Sequence, residues 1–180
     1  MAARALEFAV LTAGRTGEVI GARWDEVNFA ERIWTVPAER MKAGREHRVP
    51  LAAPAIALLE ALAQLRRPRE DAPVIFAGPN RGKPLSNMAM LMLLRRMGHG
   101  ELTVHGFRST FRDWAAERTN FPAEVVEMAL AHAVSDKVEA AYRRGDLFQK
   151  RRQLMDAWAR CCDQLKSVAP DVLVLRPAAR

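Results

Sequence analysis

Tyr142 is the only tyrosine among 180 residues. It stands in EAAYRRGDL, after two alanines and before Arg143 and Arg144, outside any apolar stripe. A phenol in that setting is either a half-buried aromatic or a nucleophile, and cations around it would favour the phenolate. Several other residues have the right chemistry to act on a phosphate. In HGFRSTFRDWAAE, His105 and Arg108 fall one turn apart in the first turns of a predicted helix, where the helix N-terminus favours anions. Arg15 and Glu18 form an i, i+3 pair, and a carboxylate that holds an arginine keeps its fork aimed for bidentate phosphate binding. Lys42 lies near the tip of a predicted hairpin among Arg40, Arg45 and Arg48, and His132 ends EVVEMALAH ten residues before Tyr142. Taken singly, each has an ordinary reading: a capping histidine, a surface ion pair, a solvated basic turn, a histidine on a helix dipole.

The elements that must position these groups follow from periodicity. Residues 3–13 read as an apolar helix broken at Gly14, and residues 15–27 as a second helix with Val19, Ile20 and Trp24 at core spacing. Ile33, Trp34, Thr35 and Val36 are strand formers, and HRVPL resumes extended after a polar stretch around Gly44. Residues 32–50 are therefore predicted to form a β-hairpin with a basic tip. A helix is expected over 52–66, a loop at RRPRED, a short strand at VIFAG and a loop at PNRGKPLS. The Met- and Leu-rich segment 86–97 reads as a helix whose methionines fill core space. From 105 onward helices are predicted over 105–119, 123–131, 135–144 and 147–164, with Pro122 placed to start the second. On the first of these, Phe107, Phe111, Trp114 and Ala115 form the core face, and His105, Arg108 and Arg112 lie on the adjacent face. The sum is an α+β domain, predominantly helical, with a small antiparallel sheet.

Composition bounds the partners. Apolar residues are 49% of the chain, enough for a core, and 28 Lys and Arg against 21 Asp and Glu leave a net charge of +7. That excess points to a polyanion, with nucleic acid ahead of an anionic membrane surface. Cys161 and Cys162 are adjacent, so they provide neither a disulfide framework nor metal-ligand spacing, which fits a reducing cytoplasm. No run of about 18 apolar residues indicates a membrane span. Residues 1–14 lack a signal-peptide pattern and read as a helix from the chain start, as though the domain were one part of a longer protein.

The order Arg15, Lys42, His105-x-x-Arg108, His132, Tyr142 resembles that of the tyrosine recombinases, the phage-integrase family, and in particular prophage and genomic-island integrases. The flanks agree: TAGRTGEVIGARWDEV resembles the family's first-arginine box, ERMKAGREHRVPL its hairpin-lysine segment, LTVHGFRSTFRDWA its second box, and ALAH with AAYRR its third box and nucleophile. The familiar glycine before the third-box histidine is Ala131 here.

The resemblance implies a site-specific recombinase that uses no metal or other cofactor. Tyr142 would attack a DNA phosphodiester, giving a 3′-phosphotyrosyl link and a free 5′-hydroxyl. Arg15 and Arg108 would stabilise the transition state, Lys42 would protonate the leaving oxygen, and His105 would act in proton transfer. His132 would bind or place the phosphate, and Glu18 would orient Arg15. Arg40, Arg45, Arg48, Arg112, Arg143 and Arg144 are candidate contacts to the DNA backbone. Residues 1–164 would be the catalytic domain and 165–180 a C-terminal tail that is flexible or docks on a partner protomer. The expected partner is double-stranded DNA at an attachment site. The protein would be a monomer alone and a homo-tetramer during recombination, without its N-terminal core-binding domain in this chain. It would be cytoplasmic and nucleoid-associated when on DNA. Two readings stand beside it: an inactive DNA-binding module derived from an integrase, and a type IB topoisomerase-like relaxing enzyme.

Overall fold

The structure, a computed structural model, describes residues 1–65, 73–80, 82–132 and 145–168, the last four as backbone only. The predicted helix over 135–144, with Tyr142, Arg143 and Arg144, and the end of the tail lie outside the described residues. The chain runs α1 (Ala2–Thr12), α2 (Thr16–Ile20), β1 (Val27–Asn28), β2 (Ile33–Val36), β3 (His47–Pro50), α3 (Ala53–Gln64), α4 (Ala89–Arg96), α5 (Gly106–Arg118), α6 (Ala123–Ala129) and α7 (Phe148–Val168). This is the expected helical α+β architecture with a three-stranded antiparallel sheet of order β1-β2-β3.

Helix α1 buries Ala5, Leu6, Phe8, Ala9 and Leu11, and ends where Ala13 turns into the left-handed region at φ 49°. Gly14 then permits a close approach: a Cβ there would stand 2.9 Å from Val19 Cγ2 and 3.1 Å from Thr12 Oγ1. The chain can thus fold straight back into α2. The helix predicted over 15–27 is shorter than expected, ending at Ile20. Two glycines lower its propensity, and Glu26 draws the following segment onto the sheet. Its carboxylate accepts from the Arg23 backbone N–H at 3.1 Å, from Trp34 Nε1 at 3.0 Å and from Arg40. Residues 24–26 form a single 3-10 turn instead.

The predicted hairpin is present, with Trp34 opposite Val49 and Val36 opposite His47. Trp34 and Val36 alternate inward, as a half-buried strand requires. VIFAG is not a strand. Val74 and Ala77 make only isolated bridges, to Arg23 and Pro84, because this short segment lies against loops that offer single pairing positions.

Two apolar clusters meet along α1. In one, the Phe8 ring lies 5.2 Å from Trp34 and 5.5 Å from Phe76. In the other, Phe111 meets Trp158 edge-on at 5.4 Å, with Leu154, Met155 and Leu130 around them. Trp158 Nε1 donates to the Val10 carbonyl at 2.7 Å, tying α7 to α1. The methionines of 86–97 depart from expectation. Met90 is buried, but Met88, Met92 and Met97 are exposed, since the apolar residues of this stretch run right round a short helix and only one side meets the core. No helix among the described residues is long and apolar enough to cross a membrane.

Candidate active site

Two helix ends build the site. Helix α1 ends at Ala13 and helix α6 just before Ala131, both alanines with φ 49°. Such ends leave carbonyl oxygens without intrahelical partners and carry partial negative charge. Two guanidinium groups satisfy them. Arg108, buried on α5, donates to the Ala13 carbonyl and to the Leu130 carbonyl, the latter at 2.7 Å. Arg15 Nη2 donates to the carbonyls of Leu130 and Ala131 at 3.3 and 3.2 Å. Both arginines therefore converge on the Leu130 oxygen, although 93 residues separate them in sequence.

Glu18 holds Arg15 from behind. It is buried, and its carboxylate accepts from Arg15 Nη1 at 2.6 Å and from the Arg15 backbone N–H at 3.0 Å. Burial, reinforced by the charge of Arg15, pushes the Arg108 guanidinium down to about 10, with Glu18 opposing. Arg108 is still a cation at neutral pH. Two close guanidiniums, one aimed by a carboxylate and both anchored on carbonyls, form a preorganised anion site.

His132 joins this pair. Its backbone N–H donates to the Glu127 carbonyl at 3.0 Å, a wrap characteristic of a helix that ends on a left-handed residue. Its Nε2 lies 3.5 Å from Arg108 Nη2, and its Nδ1 lies 2.5 Å from Glu127 Oε2. His105 opens α5 one turn before Arg108 and is exposed. Lys42 is exposed in the turn between β2 and β3, beside the buried Met41 and ahead of Gly44 at φ 61°.

The remaining arginines divide by environment. Arg40 is turned inward, onto the Glu26 carboxylate and the Glu18 carbonyl. Arg45 is exposed in the hairpin turn. Arg48 stacks over the Phe148 ring at 4.3 Å, with Nε 3.7 Å from Asp146. Arg112 is largely exposed, and its Nε donates to Glu127 at 2.7 Å. Tyr142, Arg143 and Arg144 lie outside the described residues.

Three supporting residues escaped sequence reasoning. Glu127 contacts His132 across a helix end, so no helical spacing announces the pair. His47 of β3 donates from Nε2 to the Ala129 carbonyl at 3.2 Å, which ties the hairpin to the turn carrying His132. Burial, then the charge of Arg151, pushes the His47 imidazole down to about 4. Arg151 is buried on α7 and donates to the Asp146 carboxylate and carbonyl, each at 2.7 Å, and to the Arg48 carbonyl at 2.6 Å. It fastens the residues just after 144 to the hairpin. A run of basic residues such as KRR offers no sign of which member turns inward.

The chain is similar to known proteins in sequence and in fold. The chain is 38% identical over 172 residues to the prophage integrase IntA of Escherichia coli (strain K12), an alignment that covers 93% of this chain and 40% of IntA. The chain thus spans about two fifths of the length of that relative. The fold matches the integrase of mycobacterium phage Brujita with a TM-score of 0.62 at 19% identity, over 86% of this chain and 50% of that one. It also matches the Tn1549 transposon integrase, solved in complex with circular intermediate DNA, with a TM-score of 0.57 at 15% identity, over 84% of this chain and 56% of that one. The profile of the Phage integrase family matches residues 2–147, and with that match the chain belongs to the phage integrase family.

Proposed function

We propose that this chain is the catalytic domain of a site-specific DNA recombinase that breaks and rejoins strands through a 3′-phosphotyrosyl intermediate. The observation that carries the reading is the convergence of Arg15, Arg108 and His132 on the turn after α6, ten residues before Tyr142 in the sequence. The Tyr142 phenolate attacks phosphorus, and the P–O bond to the 5′-oxygen breaks. His105 takes the phenol proton and Lys42 delivers a proton to the leaving oxygen. Arg15 and Arg108 meet the charge that builds on the non-bridging oxygens. A free 5′-hydroxyl from another strand reverses the step.

Double-stranded DNA is the partner. The Tn1549 integrase, similar in fold, was solved with DNA, and the net charge of +7 supports the same partner here. Arg45, Arg48, Arg112, Arg143 and Arg144 grip phosphates, while Arg40 acts from inside by bracing the Glu18 backbone. Residues 1–164 make up the catalytic unit, α7 continues past it to Val168, and the tail that follows is available to a neighbouring protomer. Recombination requires four protomers on two duplexes, together with an N-terminal core-binding domain beside this one.

The test is a covalent adduct. The protein is incubated at low salt with nicked DNA carrying the attachment site of the element that encodes it, beside a Tyr142→Phe variant. A denaturant-resistant adduct that Tyr142→Phe loses is expected. An adduct that persists in the variant would remove Tyr142 from the role, and DNA bound but never cut would favour an inactive binding module. Relaxation of supercoiled DNA without strand exchange would favour topoisomerase-like chemistry.

A further inference from the structure

We infer that Glu127 is a positioning residue for His132: its carboxylate holds the Nδ1 proton and turns Nε2 toward Arg108 at the anion site. The catalytic consequence rests on the recombinase reading above. The orientation rests on geometry alone.

Glu127 and His132 are joined twice, once through the backbone wrap at 3.0 Å and once through the side chains at 2.5 Å. Arg112 Nε holds the other carboxylate oxygen at 2.7 Å, so the carboxylate cannot swing away. Burial acts to raise the Glu127 carboxyl, but hydrogen bonds from His132 and Arg112, with their charge, outweigh it and hold it below the usual carboxylate range. An ionised carboxylate has no proton to give, so the proton between the two groups sits on Nδ1. In the neutral ring Nε2 is then a lone pair, and it faces an Arg108 N–H at 3.5 Å.

A ring fixed at Nδ1 keeps Nε2 beside the Arg108 fork, next to the carbonyl on which Arg15 and Arg108 meet. His47 of β3 approaches the same turn at the Ala129 carbonyl. Glu127 is the only carboxylate among the described residues hydrogen-bonded to His132.

Two substitutions separate charge from geometry. Glu127→Gln keeps an acceptor oxygen for Nδ1–H but loses the charge, and Glu127→Ala loses both. Nitrogen NMR of the histidine rings, with His132→Asn to identify the signal, reads the tautomer without any reaction. The Nδ1–H form is expected in the parent chain and in Glu127→Gln, reverting toward the ordinary Nε2–H form in Glu127→Ala. An unchanged tautomer in Glu127→Ala overturns the orienting role. The rate of covalent adduct formation on nicked attachment-site DNA reads the consequence: a loss of about tenfold is expected in Glu127→Ala and little in Glu127→Gln, which keeps the acceptor. An equal loss in both variants, or none in either, overturns the positioning role. If the parent chain makes no adduct at all, the recombinase reading falls, and the tautomer still decides whether Glu127 orients His132.

Discussion

Arg108 shows how a single side chain can be both structural and chemical. Its planar fork meets the Ala13 and Leu130 carbonyls at once, which closes the end of α1 against the end of α6. The same guanidinium then presents a fixed positive charge to whatever binds beside Arg15. A lysine keeps the charge and loses the fork. Arg108→Lys is expected to cost about 1–3 kcal/mol of stability by leaving a buried carbonyl unmet, read as a lower urea midpoint. It should also slow adduct formation about a hundredfold through lost transition-state contacts. A variant that keeps near-normal rate would argue against a two-point phosphate contact. The sequence marked Arg108 through its spacing from His105. It could not mark the carbonyls, because the Arg108 partners lie 95 and 22 residues away.

At the scale of elements, the β-hairpin is the part that must be held to the helices. His47 does this by donating to the Ala129 carbonyl, and Arg151 does it from α7 through the Arg48 carbonyl. His47 works only as a neutral ring. Its folded-state value, about 4, lies below the ordinary 6.5. Between these values the unfolded chain binds the proton more readily, so stability is full above about pH 6.5 and is lost as pH falls toward 4. His47→Gln keeps a donor and removes the titration. Urea midpoints measured from pH 7 to 4.5 should fall more steeply for the parent chain than for His47→Gln. Parallel slopes would show that the ring is not held neutral. Hairpin strands and long helices were legible from their periods. The short α2 was not, because hydrogen bonds donated to the Glu26 carboxylate by Arg23, Trp34 and Arg40 overrode a plausible helical pattern.

For the whole molecule the governing quantity is charge. On the proposed function, a net charge of +7 would make binding to duplex DNA a counterion-release process. The logarithm of affinity is expected to fall linearly with the logarithm of salt, by about 0.9 per phosphate contacted. Arg45→Ala should reduce that slope by about one contact and weaken binding evenly across sequences. A slope unchanged in the variant would place Arg45 away from the DNA. Arg40, although equally basic, is expected to leave the slope unmoved because its guanidinium is occupied internally by Glu26 and Glu18.

The sequence by itself determined the helical α+β class, the hairpin, the basic balance and the residue types at Arg15, Lys42, His105, Arg108 and His132. These depend on local period, composition and spacing, which a chain carries whatever its tertiary partners. Tertiary structure decided which cations face inward: Arg108 and Arg151 are buried, Arg40 is paired, and Arg45 is left in solvent. It also decided that Arg15 and Arg108 meet at one carbonyl and that Glu127 stands behind His132. The physical reason is that the ends of α1 and α6 leave carbonyls that only distant parts of the chain can satisfy, and no local pattern records which distant donor will arrive.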